Sequence, residues 1–91
     1  MASLLSVFDT GSYERWKELF DSDPVGRKES AEGYRIWRSV DDPNRVFVRL
    51  EFRSVEDARE FRERLLASGV LDNVTVVQEP TLVELADEAT Y

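Results

Sequence analysis

At 91 residues, the chain is long enough for one small domain with a modest core and no second module. With 42% hydrophobic and 34% charged residues, it has the balance of an ordinary globular protein rather than a disordered or membrane-embedded chain. Cysteine and histidine are absent, which removes disulfides, zinc fingers, iron–sulfur clusters, histidine-ligated haem and Ser/His or Cys/His nucleophiles, and a net charge of −7 opposes the phosphate neutralisation that nucleic-acid binding relies on.

The leading stretch, Met1 to Phe8, carries no basic flank and no small-residue cleavage pattern, and no run approaches the length of a membrane helix, so a cytoplasmic protein without membrane attachment is expected. Leu4, Leu5, Val7 and Phe8 read as a first strand, ended by the turn and cap residues Asp9, Thr10, Gly11 and Ser12. Ser12 can accept from the free amides of a following helix, in which Tyr13, Trp16 and Phe20 recur on one face. Asp23, Pro24 and Gly26 stop that helix. Arg27 to Gly33 shows neither a helical nor a strand period and reads as a connector.

Tyr34 to Val40 and Arg45 to Phe52 flank the turn-forming run Asp41-Asp42-Pro43-Asn44 and predict a β-hairpin. In its second arm Val46, Val48, Leu50 and Phe52 alternate with Arg45, Phe47, Arg49 and Glu51, so one face is apolar and the other mixed. Ser54 predicts the cap of a second helix with Asp57 at the capping-box position, a buried stripe of Ala58, Phe61 and Leu65, and Gly69 past its end. The charged residues on the opposite side of that helix read as a solvated face. Val74 to Val77 and Thr81 to Leu85 are strand-like, and Pro80 between them should bend the last strand or divide it in two. The segment from residue 80 to 91 is acidic and reads either as a solubilising tail or as an arm reaching a partner subunit.

The order strand, helix, strand, strand, helix, strand predicts a single ferredoxin-like α+β domain over residues 1–91, with an antiparallel sheet and both helices on one face. The other face would then present Arg35, Trp37, Phe47, Arg49 and Glu51, and aromatic residues there need covering. A second copy of the chain is the expected cover, which makes these five residues candidates for a homodimer interface; the alternative is a monomer whose C-terminal segment folds over its own sheet. Between sheet and helices, Tyr13, Trp16, Tyr34 and Arg38 are candidates for binding a small molecule. Arg38, always charged in an otherwise apolar row, must find a carbonyl, a carboxylate or a ligand anion, or reach water at the strand end.

The elements Tyr13 to Phe20, Tyr34-Arg35-Ile36-Trp37-Arg38, Asp41-Asp42-Pro43-Asn44, Val46-Phe47-Val48, Glu51-Phe52 and Ser54-Val55-Glu56-Asp57-Ala58 resemble the small dimeric α+β-barrel proteins. Within these, the chain is similar to the short bacterial cyclase-like and antibiotic-biosynthesis-monooxygenase-like proteins. The resemblance implies a homodimer whose two sheets close into a barrel, with a ligand cleft between sheet and helices in each subunit. It also implies cofactor-independent chemistry on a small aromatic or anionic organic molecule, since relatives oxidise polycyclic phenols, isomerise small lactones or degrade haem. The haem-degrading activity uses a histidine ligand that this chain lacks. No catalytic residue transfers: Thr10 and Asn44 read as turn residues.

Two other functions fit the same order of elements. One is a non-catalytic dimeric binding or protein-interaction module. The other, more remote, is an RNA-recognition-like domain, for which Arg45, Phe47 and Phe52 match the expected third-strand pattern while Val46, Val48 and Arg49 depart from it. No metal or prosthetic group and no nucleic-acid partner is expected.

Overall fold

The computed structural model describes residues 2–91; Met1, the first residue of the leading apolar stretch, lies outside them. Strand β1 (Ala2–Asp9) leads into helix α1 (Tyr13–Asp21), a single-turn helix α2 (Arg27–Ser30), the hairpin β2 (Gly33–Arg38) and β3 (Arg45–Phe52), helix α3 (Val55–Ser68), a 3-10 turn (Val70–Asn73) and β4 (Thr75–Glu84). The strands form one open antiparallel sheet in the order β2-β3-β1-β4, with the helices against one face, which is the ferredoxin-like βαββαβ arrangement.

Period-two alternation builds the core. Ala2, Leu4 and Phe8 of β1 and Val46, Val48, Leu50 and Phe52 of β3 are buried on the helix side, where Ala58 and Phe61 of α3 meet them. The Phe52 and Phe61 rings lie 5.5 Å apart at a tilted angle, joining β3 to α3. Both long helices start on the expected serines: Ser12 Oγ accepts from the Arg15 amide and Ser54 Oγ from that of Asp57, while Gly69 at φ 77° closes α3 in the left-handed conformation that glycine tolerates. Thr10 and Asn44 are structural, as expected. The Asn44 carbonyl accepts from both the Thr10 amide and hydroxyl, and Asn44 Oδ1 accepts from the Tyr13 amide, so the β2–β3 turn is fastened to the start of α1.

Three details differ from the sequence-based expectation, and a fourth settles an alternative it left open. The segment from Arg27 is not wholly a connector, because the Asp23 carboxylate accepts from the amides of Arg27 and Lys28 and organises α2. Strand β2 ends at Arg38, so Val40 stands in solvent: Ser39 already opens the turn, its amide donating to the Arg45 carbonyl and its hydroxyl accepting from Asp42 N. Of the two outcomes expected at Pro80, the last strand takes the first: it runs unbroken from Thr75 to Glu84 with an irregularity at the proline. Pro80 is fully buried at a register shift against β1, and the strand tolerates it because β4 is at the sheet edge. Arg62, expected on the solvated face of α3, donates from Nε to the Pro80 carbonyl at 2.7 Å. Residues 85–91 are exposed and lie outside the sheet, so they do not cover the open face of their own chain.

Asp9 and Arg45 face each other across β1 and β3, with two parallel hydrogen bonds of 2.7 and 3.0 Å between guanidinium and carboxylate. These bonds hold the Asp9 carboxyl below its ordinary pKa. The unfolded chain therefore takes up this proton first as pH falls. The pair's contribution is complete above the ordinary carboxylate range, about pH 4, and is lost as pH drops through the lowered folded value. Asp9→Asn should make the fall of the urea midpoint between about pH 5 and pH 3 shallower. An unchanged slope would mean that this half-exposed pair contributes nothing measurable.

Candidate functional site

Helix α1 packs its aromatic stripe across the sheet edge carrying β2. Tyr13, Trp16, Phe20 and Tyr34 form a continuous row, with successive ring centroids 6.0, 5.2 and 5.0 Å apart. A guanidinium caps each end of this row. Arg38 lies 4.0 Å from the Tyr13 ring, and Arg27 lies 3.7 Å from the Phe20 ring and 5.1 Å from that of Tyr34. The four residues singled out from the sequence, Tyr13, Trp16, Tyr34 and Arg38, thus belong to one cluster. They are not equivalent within it: Arg38 is exposed at the strand end and donates from Nε to the Pro43 carbonyl at 2.8 Å.

Beneath the row, between sheet and helices, is a partly enclosed cavity of about 90 Å³. Its walls are mostly apolar, with Leu4, Phe8, Trp16, Phe20 and Phe61 prominent, and its polar contributors are Ser6, Asp23 and Arg27. Of the four sequence candidates only Trp16 lines it; Tyr13, Tyr34 and Arg38 stand outside. Ser6, Asp23 and Arg27 were not singled out by sequence reasoning. Ser6 had a usable signal, as a small polar residue in the inward-facing row Ala2, Leu4, Ser6, Phe8. Arg27 had none, being one cation in a segment without periodicity.

The opposite face of the sheet is open. Trp37 on β2 pairs in register with Phe47 on β3, which in turn pairs with Val7 on β1, and these residues are 48% (Trp37) and 40% (Phe47) exposed, with Val7 partly buried. Leu5, next along β1 on the same face, completes an apolar depression with them. The remaining interface candidates border it. Arg35 lies opposite Arg49, and Arg49 Nη2 donates to Glu51 at 2.6 Å while its guanidinium sits 5.9 Å from the Trp37 ring. Phe52 is sealed in the core on the other side and cannot join Phe47 as a stacking surface. Among the described residues, no group of three or more acidic side chains is placed to hold a metal ion, and no helix is long and apolar enough to cross a membrane.

No protein-family model and no curated protein matches this sequence. Among solved structures, the chain is similar to that of Rv0793 from Mycobacterium tuberculosis, with 15% sequence identity and a TM-score of 0.67 over 98% of each chain. At that identity the likeness carries the fold alone.

Proposed function

We propose that this protein is a homodimeric binder of small, ring-bearing organic molecules, which enter the cavity beneath α1 in each subunit, with the second copy seated on the open sheet face. The observation that carries the reading is the partly enclosed apolar cavity walled by Trp16, Phe20 and Phe61. The cavity is only partly enclosed, so its apolar walls meet water, and a ring seated there removes that area from water at roughly 25 cal/mol per Å². The dimer is supported by the exposed Trp37 and Phe47 lining an apolar depression bordered by charges of both signs, a surface suited to self-complementary pairing about a twofold axis.

The reading is one of binding rather than turnover. Asp23, the carboxylate at the cavity wall, is engaged in capping α2. The oxidising and cyclising activities that the family resemblance implies would need a proton acceptor free to face the substrate.

The two tryptophans, one in each proposed site, provide the test. In a ¹H–¹⁵N spectrum, adding p-cresol should move the Trp16 indole signal saturably, together with the Ser6 and Phe61 amides, and leave the Trp37 indole in place. Movement of Trp37 alone, or scattered shifts without saturation, would overturn the cavity reading.

A further inference from the structure

We infer that Arg27 makes this cavity selective for a monoanionic ring compound, a small aromatic carboxylate or a phenolate; the inference rests on the cavity reading above. Arg27 is only 8% exposed and lines the cavity wall, yet no carboxylate lies within ion-pair distance of its guanidinium. The ion pairs among the described residues are Lys17–Asp21, Arg45–Asp9 and Arg49–Glu51. Of the acidic groups beside it, Asp21 is held by Lys17 and Asp23 faces the backbone amides of α2, while Glu32 shares with Arg27 the lining of an outer depression without pairing with it.

What the protein itself offers this cation is limited. Nη1 donates to the Phe20 carbonyl at 3.0 Å, where the end of α1 supplies a partial negative charge, and the Phe20 ring face lies beneath the guanidinium. One donated hydrogen bond leaves most of its five N–H groups without a protein acceptor. Those groups are not sealed off. The one sealed side-chain nitrogen without a partner among the described residues is Nε of Arg49, so the unpartnered nitrogens of Arg27 keep contact with open space. A buried guanidinium with open N–H groups beside an apolar cavity matches a ligand whose ring fills the cavity and whose anionic oxygens take the planar fork.

The experiment compares 4-methylbenzoate with its neutral isostere 4-methylbenzamide by calorimetry and by the Trp16 indole signal. In the unaltered protein the carboxylate should bind at least about tenfold more tightly, the size expected of a charge-assisted pair shielded from water. Arg27→Met should bring the two ligands to within about twofold of each other by weakening the carboxylate alone, and Arg27→Lys should keep part of the preference. Equal binding of the two ligands in the unaltered protein would overturn the inference and leave the cavity reading standing. Binding of neither would overturn both. Because the ligand comparison is made first in the unaltered protein, it decides the matter even where Arg27→Met, having lost its bond to the Phe20 carbonyl, does not fold.

Discussion

Trp37→Arg is expected to shift the protein from two chains to one in sedimentation velocity, while its circular dichroism and thermal midpoint stay close to those of the unaltered monomer. The fold should survive because the Trp37 ring contributes little to the chain's own core: it is nearly half exposed and lies on the sheet face away from the helices. Association should suffer because Trp37 lines the apolar depression with Leu5, Val7 and Phe47. A tryptophan buried in an interface contributes about 2 kcal/mol or more when truncated, a factor of roughly 30 for each of the two chains, both of which lose it in a twofold dimer. The substituted arginine adds to this. It would stand on the same face as Arg35 and Arg49, of which only Arg49 has a carboxylate partner, so two such faces brought together would oppose like charges. A variant that remains dimeric at micromolar concentration would show that the open face is not where two copies meet.

The elements readable from the sequence are those whose signals are local. The alternation of Val46, Val48, Leu50 and Phe52 defines β3 and its inward face, and Ser12, Ser54 and Gly69 mark helix ends through bonds or dihedral angles that involve only near neighbours. The assignment of Arg35, Trp37, Phe47, Arg49 and Glu51 to one face followed from the same period. The elements that escaped depend on contacts distant in sequence or on a single side chain. One turn of α2 has no periodicity to detect and exists because Asp23, itself at φ 57°, turns its carboxylate onto the next amides. Pro80 is accommodated by the edge position of β4, which is a property of the sheet order and not of the residues around the proline.

The candidate site divides along the same line. Tyr13, Trp16 and Phe20 are spaced to share a helix face, and that they meet Tyr34 and Arg38 follows from the fold class once it is granted. A cavity is different, because it is set by what neighbouring side chains fail to fill. Arg38, the charged residue that stood out in its row, found a backbone carbonyl and an aromatic ring at the strand end, whereas Arg27, in a segment that read as a connector, is the buried one. Charge in an apolar row therefore pointed to an arginine at a strand end and gave no sign of the buried one. Position at the end of a strand mattered more than the character of its neighbours.

Ser6→Val should raise stability and weaken ligand binding together, an opposition of signs. Ser6 lies in the middle of β1, in register with Val48, on the buried row between Leu4 and Phe8. Its hydroxyl makes no hydrogen bond to another described side chain or backbone group, and it lines the cavity. Valine replaces a buried polar group lacking a protein partner with apolar volume directed into the void, and it suits a central strand. The gain expected is about 1 kcal/mol, read as a higher urea midpoint with an unchanged slope. The same methyl groups occupy the space that a ring would take, so saturation of the Trp16 indole signal by p-cresol should weaken at least about tenfold. A stabilised variant that still binds would place the ligand elsewhere on the molecule. A destabilised one would mean that the inward row is already fully packed at Ser6, and the cavity would lose its claim to be a retained functional space rather than an ordinary gap in a small core.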